Sequence, residues 1–268
     1  MPAATATVAV IGGSGFYEFL EDAREVDVET PYGAPSAPIA VGEVGGVPVA
    51  FVPRHGKAHE FPPHLINYRA NLWALRSLGV RQVLAPCAVG GLREEVAPGD
   101  IVVPDQLVDR TLSRPQSYVE TGAAHVPFAD PYCATLSRAV AGSEDVHLGG
   151  TMVVIEGPRF STRAESQHYA AQGWSLVNMT GHPEAVLARE LRMCYAAIAL
   201  VTDMDAGVET GSGVGQEEVF AMFGRNIDRI KTLLGQVVGS LPAPGTDGCA
   251  CASWADGLAL PYQIPEPT

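Results

Sequence analysis

Thr202-Asp203-Met204-Asp205-Ala206-Gly207 closes the most apolar run of the chain, and residues two apart on a strand project to the same face. Two carboxylates therefore share one location. Such a pair cannot readily ionise twice in an enclosed site, so one pKa rises and a proton donor becomes available near neutral pH. An ordinary aspartate, with a pKa of about 3.9, is only ~0.1% protonated at pH 7. A solvated turn with two acids, or a metal held by the D-x-D, are the competing readings of this spacing alone.

Two further segments suit an anion. Gly12-Gly13-Ser14-Gly15 follows the first apolar run; its glycines let the backbone turn so that successive N–H groups face one point, with the Ser14 hydroxyl as an extra donor. The dinucleotide fingerprint G-x-G-x-x-G fails, because the third glycine position is Glu18. An ordinary strand-to-helix turn remains the alternative. Arg54-His55-Gly56 leaves the run Ala50-Phe51-Val52, which puts a guanidinium at a strand end, where open α/β sheets bind ligands. Its planar fork matches phosphate with two parallel hydrogen bonds; a surface Arg with a loop His is the bland reading. His59 and His64 lie nearby without a carboxylate or cysteine at ligand spacing, so no metal site is expected there. Phe160, in Glu156-Gly-Pro-Arg-Phe-Ser161, either stacks on a flat ring or plugs the core.

The elements that position these residues alternate in type. Thr7–Ile11, Val47–Val52, Gln82–Ala85, Asp100–Val103, Thr151–Ile155, Leu176–Asn178 and Tyr195–Thr202 read as buried strands. Helical spacing marks Asn67–Leu78, Arg163–Gln172 behind a Ser161-Thr162-x-x-Glu165 capping pattern, Pro183–Leu191 and Gln216–Val238. A hairpin around Gly45-Gly46 argues against a purely parallel sheet. The expected fold is α/β, one domain with a mixed central β-sheet flanked by helices. It spans residues 1–240, followed by a turn-rich tail over 241–268.

Composition narrows the function classes. The chain has 268 residues, with 17 Lys+Arg against 30 Asp+Glu and a net charge of −13. Nucleic acid and anionic membranes need a basic face, so neither is an expected partner. The longest clean apolar run, Met193–Val201, is far short of a bilayer span. No signal-peptide pattern precedes the first strand. Five cysteines in no framework spacing fit a reducing compartment, and the cytoplasm is the expected location. Cys249-Ala-Cys251 supplies two of the four thiols that a structural zinc site wants, but no partner for them is visible in the sequence. An exposed or subunit-packing tail is the expectation, with a reversible Cys249–Cys251 disulfide as the alternative.

Together, Ile11–Gly15, Arg54–Gly56, Asn67–Leu75, Gly99–Gln106, Glu156–Ser161, Asn178–Gly181 and Thr202–Asp205 resemble the purine nucleoside phosphorylase family, in its methylthioadenosine branch. The resemblance runs from about residue 8 to residue 238 and implies a nucleoside phosphorylase-like catalytic domain. It implies attack of phosphate on ribose C1′ as the purine leaves, with no metal or organic cofactor and with inorganic phosphate as co-substrate. By resemblance, Ser14, Arg54, His55, Cys87, Ala88 and Thr180 hold phosphate, and the backbone and side chain of Met179 face the ribose. Phe160 and Ser161 flank the purine, and Met204 is among the substrate-binding residues. Asp203 protonates or hydrogen-bonds N7, while Asp205 accepts from the 6-amino group.

This chain departs from the animal enzymes of that branch at two points. Cys87 stands where they have a threonine, and a thiol is the weaker donor. Gln216, beside Val219 and Phe220, replaces an apolar residue of the 5′ pocket, so methylthio and another small 5′ substituent such as a halogen both fit. The resemblance also implies a homotrimer whose neighbouring subunit supplies His125 to the 5′ pocket. Enzymes acting on 6-oxopurines or methylthioinosine carry an Asn in the D-x-D region, which favours a 6-aminopurine here. A 6-oxopurine phosphorylase is the first alternative. A non-catalytic nucleotide-binding module and a hydrolytic nucleosidase are the others, and the latter leaves the anion set unexplained.

Overall fold

The computed structural model describes residues 6–143, 145–206, 213–246 and 248–267. Among the described residues, eleven strands form one mixed sheet: β1 (Val8–Gly12), β2 (Arg24–Val26), β3 (Ile39–Val44), β4 (Val47–Pro53), β5 (Gln82–Gly91), β6 (Ile101–Val103), β7 (Gln106–Arg110), β8 (Val146–Leu148), β9 (Thr151–Ile155), β10 (Leu176–Asn178) and β11 (Cys194–Met204). The α-helices among the described residues are α1 (Tyr68–Ser77), α2 (Ala134–Ala141), α3 (Arg163–Ala171), α4 (Gly181–Glu190) and α5 (Gln216–Val238).

The sheet branches at β5. Its first residues pair in parallel with β1 on one side and β11 on the other, while Gly90 and Gly91 also pair antiparallel with β10. One path runs β2-β3-β4-β1-β5-β10-β9-β7, and β11 leads off β5 to β6 and β8. Nine of the eleven β11 residues are buried. This explains an apolar run without alternation, since both faces are covered. One face carries α1 and α4, with Leu72, Leu75, Ala185 and Leu187 in a common core; the other carries α2 and α5, through Leu136, Val140, Phe223 and Ile230.

Local chemistry sets the helix starts. The Asn67 side chain accepts the Ala70 amide at 3.2 Å to begin α1. Thr162 and Glu165 form a reciprocal capping box at α3, as the sequence pattern predicts. α5 covers the same span read from the sequence. The short, partly exposed β2, β7 and β8 escape the sequence reading because each lacks a sustained apolar run.

The tail is tied to the rest of the chain by hydrogen bonds, while many of its residues are exposed, as expected. The Trp254 indole donates to the Arg189 carbonyl at 2.8 Å, the Tyr262 hydroxyl to the Glu190 carbonyl at 2.8 Å, and Arg76 to the Pro265 carbonyl at 2.8 Å. Cys251 is buried. No helix among the described residues is long and apolar enough to cross a membrane.

Candidate active site

The carboxyl ends of β1, β4, β5, β10 and β11 converge on a cleft of about 300 Å³. That is the expected place for a ligand in an α/β sheet. Gly13 lets the first turn close over β5: a Cβ there would lie 2.8 Å from the Pro86 carbonyl oxygen and 3.0 Å from Arg54 Nη1. Ser14 of the same turn lines the cleft with Cys87 and Ala88 of β5 and Thr180 at the start of α4. The sequence-predicted anion set thus lines one cavity.

Arg54 occupies it differently from the sequence expectation. The side chain is 1% exposed, and its Nε and Nη2 both donate to the Glu184 carboxylate, the latter at 2.9 Å. The planar fork is therefore committed to a protein carboxylate, leaving Nη1, bonded to the Pro86 carbonyl at 3.2 Å and beside Gly13, as the edge nearest the glycine turn. Burial opposes the guanidinium charge, but the adjoining Glu184 carboxylate outweighs it and keeps Arg54 protonated. Tyr195 donates its hydroxyl to Glu184 at 2.8 Å and fixes the pair from below. Neither Glu184, on α4, nor Tyr195, within β11, carries a sequence signal for this role, because the contact spans 130 residues.

His55 is neutral. Burial, reinforced by Arg54, lowers its pKa to about 3. Its Nδ1 lies 2.8 Å from the Phe61 carbonyl oxygen, which places the ring proton on Nδ1 and leaves Nε2 a hydrogen-bond acceptor. His59, set aside by the sequence reading, stacks on His55 with centroids 4.4 Å apart and meets Phe220 edge-on at 5.4 Å. Burial raises the Cys87 thiol to about 12, so it stays protonated as a weak donor.

The two aspartates stand at the end of β11 and differ in environment. A register shift between Val201 and Asp203 brings Asp203 opposite Gly90 of β5. A Cβ on Gly90 would lie 3.2 Å from Asp203 Oδ1 and 3.1 Å from the Asp205 Cβ, so the bare glycine makes room for both acids. Burial raises the Asp203 pKa to about 6, with the Asp205 charge adding to the rise and the Thr202 hydroxyl, 2.7 Å away, opposing it. Asp205 is 3% exposed and accepts the Ser166 hydroxyl of α3 at 2.5 Å. Met204 does not line the cleft, because strand alternation turns it from the face that Asp203 and Asp205 share.

Phe160, Ser161 and Met179 also line the cleft, together with Gln216, Val219 and Phe220 from the first turns of α5. The buried Ser161 hydroxyl finds no partner among the described residues. The Met179 carbonyl accepts from Arg114 at 2.7 Å, which fixes the backbone beside its cleft-lining side chain. Arg114 also donates to the carbonyls of His182 at 2.7 Å and Glu156 at 2.6 Å. It thereby pins the loops after β9 and β10 to each other, another long-range role that the sequence does not mark. His125 lies exposed, outside this cleft.

Hydrogen-bond donors, apolar and aromatic side chains and a carboxyl poised near neutrality, all lining one cleft, together suit a nucleoside. The phosphorylase superfamily profile matches residues 7–240, and the chain belongs to that family. It is 61% identical over 259 residues to S-methyl-5′-thioadenosine phosphorylase of Mycolicibacterium smegmatis, covering 96% of this chain and 99% of that one. It is 56% identical over 274 residues to a purine nucleoside phosphorylase of Streptomyces coelicolor, covering 97% and 98%. Methylthioadenosine phosphorylase from Schistosoma mansoni in complex with adenine superposes with a TM-score of 0.82 at 36% identity, over 88% of this chain and 92% of that one.

Proposed function

We propose that this chain is a purine nucleoside phosphorylase-type pentosyltransferase that converts 5′-methylthioadenosine and phosphate to adenine and 5-methylthioribose 1-phosphate. The observation that carries this reading is the asymmetry of Asp203 and Asp205. One carboxyl is raised to about 6, while the other is held by the Ser166 hydroxyl.

A phosphate oxygen attacks C1′ as the C1′–N9 bond breaks, and the bonding pair passes into the purine ring. Asp203 delivers its proton to N7, so adenine leaves neutral; solvent then reprotonates the carboxylate. Asp205 accepts from the 6-amino N–H, a contact that the lone pairs of a 6-oxo group would repel. Phosphate sits among Ser14, Arg54, His55, Cys87, Ala88 and Thr180. With its proton on Nδ1, His55 turns an acceptor toward a hydroxyl of ribose or of monoprotonated phosphate. Phe160 and Ser161 flank the base, and Met179 faces the ribose. No metal or organic cofactor takes part in the chemistry.

The 5′ substituent meets Gln216, Val219 and Phe220. Two apolar walls suit a methylthio group, and the polar Gln216 supports a second substrate class, 5′-halogenated adenosines. The assembly is a homotrimer in which His125 of a neighbouring copy closes this end. Exposed Leu65 and Leu112, 63% and 89% accessible in the single chain, supply apolar surface for such an interface. The enzyme acts in the cytoplasm, in purine and methionine salvage.

The deciding experiment is a panel of 5′-substituted adenosines and inosines with and without phosphate. Phosphate-dependent release of adenine, fastest from methylthioadenosine, is expected. Faster cleavage of methylthioinosine would overturn the roles of Asp203 and Asp205, and adenine release without phosphate would make the enzyme a hydrolase. Light scattering is expected to give three copies; an active monomer would reject the trimer.

A further inference from the structure

Cysteines far apart in sequence meet at the end of β11 remote from the cleft. Cys194 is the first residue of β11, Cys133 is the N-cap of α2, and Cys249 and Cys251 come from the tail. Their four sulfurs all lie within 4.8 Å of one another. Cys249 Sγ is 3.6 Å from Cys133 Sγ and 3.4 Å from Cys194 Sγ. All four are free thiols; Cys133, Cys194 and Cys251 are buried and Cys249 is half-buried.

We propose that Cys133, Cys194, Cys249 and Cys251 form a closed tetrahedral site for a zinc ion, which fastens the C-terminal tail to α2 and β11. A zinc–sulfur bond of about 2.3 Å gives a tetrahedron with edges of about 3.8 Å, so the observed sulfur separations require only small side-chain adjustments. Four thiolates with no nitrogen or oxygen ligand select a soft, tetrahedral ion and leave no open position for substrate. The role is structural. Cys194 and Asp203 sit nine residues apart on one extended strand, roughly 30 Å at about 3.3 Å per residue.

The surroundings answer the charge. Zinc with four thiolates carries a net charge of −2, and three features oppose it. Cys133 is the N-cap of α2, so its sulfur sits at the amino end of that helix, where the helix dipole favours negative charge. Arg189, whose carbonyl accepts the Trp254 indole, and Arg192, which donates to the carbonyl of Ala252 beside Cys251 and pairs with Asp256, bring two cationic residues to this part of the tail. Binding releases the thiol protons to solvent, so affinity rises with pH. The sequence shows only the C-x-C half of this site, because Cys133 and Cys194 are 116 and 55 residues from Cys249.

The full chain, purified under reductant and loaded with zinc, is expected to hold about one zinc per chain by elemental analysis, released stoichiometrically when the thiols are titrated with a mercurial. The Cys249→Ser/Cys251→Ser variant is expected to lose that zinc to background. Cobalt offered to the unaltered protein gives an independent reading that needs no variant: sulfur-to-cobalt charge-transfer bands with intense visible bands mark a tetrahedral tetrathiolate. Removing zinc by chelation lowers the melting temperature of the unaltered chain and leaves that of the variant unchanged. The proposal is overturned if the unaltered chain retains no more zinc than the variant, if cobalt gives weak octahedral bands, or if iron is the bound metal. Mass analysis finding these cysteines joined as disulfides in protein from a reducing cytosol overturns it too.

Discussion

Replacing Asp203 by Asn separates proton donation from shape. The amide is isosteric, keeps an acceptor for the Thr202 hydroxyl now 2.7 Å away, and still offers N–H to N7, but it cannot transfer a proton. With a pKa of about 6, roughly 10% of Asp203 is protonated at pH 7 and ~1% at pH 8, against ~0.1% at pH 7 for an ordinary aspartate. The unaltered enzyme should therefore lose kcat/KM for methylthioadenosine about tenfold between pH 7 and 8. A general acid contributes typically ~10²–10⁴-fold, so D203N should lower kcat by that factor, about 2.7–5.5 kcal/mol of barrier, and flatten the alkaline limb. Stability should move the other way. A carboxyl whose pKa is raised on folding binds its proton more tightly in the native state, so the native state loses stability as pH rises from about 4 to about 6 and stays penalised above. The distance from 3.8 to about 6 corresponds to ~3 kcal/mol, discounted to ~2 kcal/mol for partial exposure. Asn removes that penalty, so D203N should be slower yet melt higher at pH 7.5. Steady-state kinetics across pH 5.5–8.5 and calorimetry read both. A rate within threefold of the unaltered enzyme, or an alkaline limb that persists in D203N, would refute Asp203 as the acid.

Asp205→Asn should shift the ratio of kcat/KM for methylthioadenosine over methylthioinosine by at least ~10-fold toward the 6-oxo substrate, since a charge-assisted hydrogen bond contributes about 1.5–3 kcal/mol; an unchanged ratio on paired substrates would remove it as the 6-position reader. Ser166→Ala deletes the 2.5 Å bond to Asp205 without touching the cleft, and should reproduce a smaller part of that shift, about 3–10-fold. Glu184→Gln leaves the buried Arg54 charge uncompensated and should destabilise the fold by about 3–5 kcal/mol, read as a lowered urea midpoint; a midpoint like that of the unaltered chain would mean that Arg54 has another counter-charge. Gly90→Ala puts a methyl group 2.9 Å from Val177 Cγ1 and 3.2 Å from Asp203 Oδ1, and should weaken purine binding at least ~10-fold by calorimetric titration.

Legibility in the sequence followed range. The buried strands β1, β4, β9 and β10, the Thr162–Glu165 capping box and all of α5 are marked by residue patterns within one element, and local pattern suffices for them. The D-x-D pair was readable because a period of two fixes its geometry; the same period turns Met204 away, an implication that the motif resemblance obscured. Arg54 was legible as a cleft residue but not in its bonding, since its partner Glu184 arrives from α4. His59, Ser166, Arg114 and the meeting of Cys133 and Cys194 with the tail depend on how strands distant in sequence are laid side by side. No periodicity encodes that placement.

With phosphate assigned to these residues as proposed, the commitment of Arg54 to Glu184 bears on when phosphate is held. A guanidinium already matched by a carboxylate, a neutral His55 and a protonated Cys87 offer dipoles but almost no net positive charge. Phosphate entering such a site exchanges water for hydrogen bonds with little ionic reward. In the proposed mechanism the countercharge arises during the reaction, as the sugar becomes cationic at C1′ on the way to bond cleavage. Attraction between nucleophile and sugar then grows as the barrier is climbed and fades once the new C–O bond has formed. An enzyme built in this way saves its electrostatic grip for the transition state, and releases the sugar phosphate without having to break a strong ion pair.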